Sequence, residues 1–140
     1  MPMIFQKPIQ IDTAPNQLNL ITDKIVHALD KALDVEAGLL NLFIQHTSAS
    51  LLIQENADPT AKSDLETFID KIAPQNQSWM QHTLEGPDDS PSHMRAAITN
   101  TSITIPITKG QLGLGTWQGI YLWEHRNRSH KRNLIVTVYS

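Results

Sequence analysis

The segment from Gln81 to Met94, QHTLEGPDDSPSHM, carries two histidines, three acids, two prolines and a glycine. These groups bind metals or move protons, and the prolines and glycine make the segment too broken for a strand or a long helix. Neutral imidazoles from His82 and His93, joined by His46 from further upstream, would make the three-histidine set of an open catalytic zinc site. Loop spacing fixes no geometry, so the two loop histidines serve equally well as solvated groups that hydrogen-bond the loop to itself. Glu85, three residues from His82, is the candidate general base. Asp88 and Asp89 fit a chemical role, as acceptors that orient ligating imidazoles or as a general base, and equally a role as turn formers within GPDDSP.

Two more charged residues carry chemistry. Glu124 shares a strand face with Ile120 and Leu122 while Tyr121 and Trp123 take the other, so both faces are expected to be covered and the carboxylate needs a partner. An ion pair with Arg126 or Arg128 and a catalytic role in proton transfer are equally open. Arg126 lies in HRNRSHKR, where Arg126, Arg128, Lys131 and Arg132 put four of the chain's 11 basic residues into one short segment, which leaves a local anion site open.

Other signals exclude function classes. The chain has no cysteine, so it has no disulfide, no thiol nucleophile and no cysteine-ligated metal. A net charge of -3 and a pI near 6.0 argue against nucleic acid as a partner. The start MPMIFQKPIQID has no export pattern, and no apolar run approaches the ~20 residues that span a bilayer, so a cytoplasmic location without membrane contact is expected. Gly113, Gly115 and Gly119 are spaced G-x-G-x-x-x-G ahead of a strand, which is neither a dinucleotide nor a phosphate-loop fingerprint.

The elements that must position these residues can be placed from periodicity. Residues 3 to 12 alternate and contain Pro8, which predicts an edge strand. LNLI (18 to 21) is a short strand, and Thr22 is the expected cap of a helix whose Ile25, Val26, Leu29, Ala32 and Leu33 recur at helical spacing. Residues 39 to 46 predict a strand with His46 on its apolar face. If QHTSAS is a tight hairpin turn, ASLLIQEN returns alongside and Glu55 lies roughly 20 Å from His46 at ~3.3 Å per residue, and a continuous strand would separate the two further. Asp58 and Pro59 mark a helix start, with Leu65, Phe68, Ile69 and Ile72 as its buried stripe. A short helix capped by Ser92 covers SHMRAAI. Residues 101 to 107, 116 to 125 and 132 to 139 are β-rich and predict an antiparallel sheet at the C-terminal end. The sum is one α+β domain over residues 1–140, mainly antiparallel sheet with two main helices and one short helix.

The runs QHTSASLLIQENADPT, WMQHTLEGPDDSPSHM and TSITIPITKGQLGLGTWQGIYLWEHR together closely resemble the YjbQ family of small bacterial and archaeal proteins, from about residue 39 to the C-terminus. The resemblance implies a compact α+β protomer, a homotrimer, sites near subunit contacts, and His46, His82 and His93 as candidate ligands of a divalent metal. It also implies a secondary thiamine-phosphate synthase activity, joining a pyrimidine diphosphate to a thiazole phosphate. Relatives carry DGPR after the glutamate matched by Glu124, where this chain has HRNRSHKR, a departure that bears on the anion site. Diphosphate chemistry commonly uses magnesium with oxygen ligands, whereas three histidines suit zinc. A three-histidine ion beside a carboxylate more naturally serves a hydrolase, and a non-enzymatic trimeric binding protein is the third reading.

Overall fold

The computed structural model describes residues 3–140. Strands β1 (Ile4–Asp12), β3 (Ala37–Ile44), β5 (Ser102–Thr108), β6 (Gln111–Leu112) and β8 (Lys131–Tyr139) form one sheet in the order β1-β8-β3-β5-β6. Strands β2 (Gln17–Leu20), β4 (Ala49–Glu55) and β7 (Gln118–Glu124) form a second, with β7 central. Every pairing is antiparallel. Helices α1 (Thr22–Leu29), followed by a 3-10 turn at Asp30–Leu33, α2 (Pro59–Ile72) and α3 (Asp89–Ala97) complete an α+β architecture.

The main core lies between the sheets. Alternation in β3 and β8 sends Leu40, Leu42, Ile44, Leu134, Val136 and Val138 inward, against Ala49, Leu51, Ile120 and Leu122 of the second sheet. Ile25 and Leu29 of α1 join the same cluster. The other face of β7 presents Tyr121 and Trp123, which pack with Leu18 and Ile69. Strand β7 is therefore buried on both faces, as its sequence predicts.

Several local expectations are corrected. The segment after β3 is a corner between sheets and not a hairpin: β3 pairs with β5 and β8, and β4 with β7. The C-terminal strands likewise do not share one sheet, since β7 is separated from β5 and β8. Thr22 does not cap α1; Ile21 occupies that position, and the Thr22 hydroxyl accepts the Ile120 backbone N–H at 2.9 Å. In α2 only Ile69 is fully buried, while Phe68 and Ile72 are exposed, because the helix covers just a narrow strip of β7. The Asp58 cap and Pro59 start hold, with Asp58 Oδ1 accepting the Thr60 N–H at 2.9 Å.

Helix α3 begins at Asp89, three residues before the expected Ser92 cap. Arg95 anchors it: its guanidinium donates to the Ala73 carbonyl at the end of α2 (2.9 and 3.2 Å) and pairs with Asp70 at 3.1 Å. A cation at the last carbonyls of α2 satisfies groups the helix cannot, and it ties the two helices end to end.

Directly after β7, His125 is buried beside Trp123. Its Nε2 lies 2.8 Å from Ser50 Oγ, and its Nδ1 is buried without a partner. Burial first, then the charges of Arg95 and Arg132, push its pKa down to about 3. An unfolded chain takes up this proton near pH 6.5, whereas the native ring refuses it until about 3, so stability falls as pH drops through that window. Urea denaturation at pH 7 and pH 5 should show the native chain losing about 2 kcal/mol more than a His125→Gln variant.

Candidate metal centre

The early start of α3 decides the site. With Asp89 in its first turn, Asp89 and His93 stand four residues apart on one helical face, where side chains meet. His93 Nε2 lies 3.2 Å from Asp89 Oδ2, and His82, from the loop ahead of the helix, places its Nε2 2.6 Å from the same oxygen. The two imidazole rings are 5.3 Å apart and tilted by 46°. One ligand atom from each of His82, Asp89 and His93 falls within 4.8 Å of the others.

The groups behind these atoms fix their aim. The Thr47 carbonyl lies 2.8 Å from His93 Nδ1 and accepts its proton, leaving the lone pair of a neutral ring on Nε2, turned toward Asp89. Asp89 is almost wholly enclosed, at 2 % side-chain exposure, and Arg126 Nη1 donates to its other oxygen at 2.8 Å. Arg126 Nε donates to Asp88 Oδ2 at 2.8 Å, and Nη2 to the Glu85 carbonyl at 3.0 Å. The Asn127 N–H adds a bond to Asp88 at 2.9 Å. Burial pushes the Asp89 carboxyl up, but contact with Glu85, the His93 and His82 imidazoles and the Arg126 guanidinium outweigh it and hold the pKa below its ordinary value. For Asp88 too, hydrogen bonds from Arg126 and Asn127 overcome burial.

The donor set fits a divalent cation. One nitrogen from each of two imidazoles and a carboxylate oxygen lie close together, and two of the three residues have an outer partner that orients them, the Thr47 carbonyl for His93 and Arg126 for Asp89. Two nitrogens and one oxygen suit zinc, manganese or iron, with coordination positions left for a substrate. The site opens onto a cleft of about 780 Å³ that His82 and His93 line together with Phe43, Ile44, Ala96 and Ala97.

The other residues singled out in the sequence are placed differently. His46 also lines the cleft, but it is not the third ligand. Its Nε2 accepts the Asn133 backbone N–H at 2.7 Å and its Nδ1 faces Arg132 Nη1 at 3.3 Å, so it extends the β3·β8 pairing. Burial and then Arg132 lower its pKa. Glu124 is fully enclosed, paired with Arg132 instead of Arg126 or Arg128: Arg132 Nε donates at 2.8 Å, Nη2 donates to the second oxygen, and Thr13 Oγ1 donates at 2.7 Å. That carboxylate is satisfied inside the fold and is not part of the metal trio. Arg126 spends its guanidinium on the protein's own Asp88 and Asp89, which removes it as a free phosphate ligand. Glu85 is exposed, with its carboxylate 3.8 Å from His82 Nε2, within reach of the trio from the solvent side. Asp89, which the sequence left between a turn role and an orienting role, is the residue that completes the cluster; its signal was the D-x-x-x-H spacing.

The chain matches the family model described as UPF0047 protein YjbQ-like over residues 7–140. It belongs to the UPF0047/YjbQ family. A UPF0047 protein of Synechocystis sp. is 47% identical over 133 residues, covering 95% of this chain and 90% of that one. The UPF0047 protein YjbQ of Salmonella typhimurium is 43% identical over 136 residues, covering 97% and 98%. Among solved structures, a YbjQ-like protein of unknown function from Sulfolobus solfataricus superposes with a TM-score of 0.87 at 25% identity, covering 100% of this chain and 99% of that one. A yjbq/upf0047 family protein from Clostridium acetobutylicum gives 0.83 at 32% identity, covering 94% and 98%. Family and fold are thus settled together, and no activity comes with the names.

Because Arg126 holds Asp89 in position, Arg126→Ala should weaken zinc binding about 10- to 100-fold, as loss of an orienting partner typically does. Zinc titration by calorimetry on the folded variant checks this.

Proposed function

We propose that this protein is a divalent-metal-dependent enzyme acting on a small phosphorylated substrate, and that hydrolysis is the reaction its geometry supports best. The observation that carries the reading is the convergence of His82, Asp89 and His93 ligand atoms within 4.8 Å at the end of a cleft. A divalent ion held there would polarise a phosphoryl or acyl oxygen and acidify water. The chain's own residues supply the rest. The Thr47 carbonyl and Arg126 orient the ligands, and Glu85, exposed beside His82, is positioned to take a proton.

The second reading is a transferase of the thiamine-phosphate synthase type, joining a pyrimidine diphosphate to a thiazole phosphate. The cleft favours it, being apolar and wide enough for an aromatic ring. The committed state of Arg126 and Arg132 weighs against it, because leaving diphosphate needs cations beyond the ion. A homotrimer belongs to this proposal as well. The outer face of the five-stranded sheet aligns Ile4, Tyr139 and Leu39 in one cross-strand row, with Phe43 further along, all exposed. Copies burying that face would adjoin the cleft through Phe43.

Elemental mass spectrometry on untagged protein should find about one divalent ion per chain, lost from an Asp89→Asn, His93→Ala double variant. The metal-loaded chain should turn over members of a phosphate-ester panel, with activity removed by chelation. Product from the pyrimidine diphosphate and thiazole phosphate, without ester hydrolysis, would select the transferase reading. Light scattering should give the mass of three chains, and Leu39→Glu with Tyr139→Lys should reduce it to one.

A further inference from the structure

The cleft beside the metal trio has a one-sided chemistry. Its walls are Phe43 and Ile44 from β3 and Ala96 and Ala97 from α3, and its polar groups away from the trio include Gln45, Thr101 and His46, whose ring nitrogens are taken up by the Asn133 N–H and Arg132. Among the described residues, no lysine, arginine, aspartate or glutamate lines it. The two arginines close to its histidines are spent: Arg126 on Asp88, Asp89 and the Glu85 carbonyl, and Arg132 on Glu124, the Ser48 carbonyl and His46. Any negative charge on a ligand must therefore sit at the His82 and His93 end, where an ion can meet it. A second anionic group further along would lie against alanine and phenylalanine without a counter-charge.

Resting on the metal reading above, we infer that the site takes a small molecule with a single anionic, metal-binding head and an uncharged ring or alkyl body. On the protomer's own charges, compounds with two separated anionic groups are disfavoured. The two alanines on α3 determine this specificity. Their short side chains leave the space between helix and strand open, and the cleft's volume of about 780 Å³ lies within the range of sites for ring-sized ligands. Head and body divide the binding between them: the ion takes the charge, and the body removes apolar wall from water.

The test uses the full chain loaded with zinc, after direct titration has measured zinc affinity, and compares three phosphonates by calorimetry. Phenylphosphonate should bind at least about tenfold more tightly than methylphosphonate, from the apolar area a ring buries. A carboxylate on the far end of the ring, as in 4-carboxyphenylphosphonate, should cancel that gain. Ala96→Leu, which keeps a strong helix former at that position, should abolish the advantage of the ring while leaving zinc affinity unchanged. Equal binding of phenyl and methyl compounds by a zinc-loaded chain overturns the substrate class and leaves the metal site standing. Tighter binding of the carboxylated ring overturns it too. Failure to bind zinc at all overturns the metal reading, and this inference with it.

Discussion

The fork of Arg126 across Asp88 and Asp89 is the interaction on which the site's geometry rests. Two adjacent carboxylates at a buried helix start repel each other and lose hydration, a combination that folding tolerates only with a counter-charge and hydrogen bonds. Arg126 supplies both at once, with Nε on one acid and Nη1 on the other, each at 2.8 Å. Its third bond, to the Glu85 carbonyl, ties the loop that carries His82 to the helix that carries His93. Without that clamp the acids would have reason to turn to water, and the D-x-x-x-H pair would lose its aim.

A second ion pair, Glu124 with Arg132, works at the open end of the sandwich by the same logic. Glu124 lies on the inner face of β7, opposite Ala49, where the apolar core gives way to polar side chains. Thr13 and the Arg126 backbone N–H complete its bonding, so one carboxylate joins β1's end, β7 and β8. The short stretch from Glu124 to Arg132 thus serves two internal acids groups: Arg132 meets Glu124, and Arg126 meets Asp88 and Asp89. Within what the sequence presents as a basic run awaiting an external anion, Arg126 and Arg132 are counter-charges for the fold.

This contrast shows where the sequence is legible. Local devices could be read directly: Pro8 confines β1 to an edge, Asp58 and Pro59 start α2, and alternation in β7 predicts a strand covered on both sides. Pairing across the chain could not. The corner after β3 is as short as a hairpin turn, and only the long-range partners of β4 and β3 put them in different sheets. The candidate site was legible in its composition but not in its membership. His46 has the right chemistry, but a backbone N–H 87 residues away occupies its Nε2. Asp89 was obscured because GPDDSP carries strong turn residues, yet proline is tolerated in a helix's first turn and the helix begins inside that motif.

The exchange of a third imidazole for a carboxylate changes the chemistry the site can support. In a group that could hold a metal, Asp89 would bring a negative charge and a harder oxygen donor, which broadens the choice of ion beyond zinc toward manganese and iron. It would also leave less of an ion's charge for a substrate, so a diphosphate would need further cations. Within this protomer Arg126 and Arg132 are already neutralised by their own acids. Transfer between two phosphorylated partners therefore asks more of the site than a single phosphate ester does, and only basic groups brought by a neighbouring copy would remove the difference. On the protomer's own charges, the balance lies with one anionic group at the ion and a neutral body in the cleft.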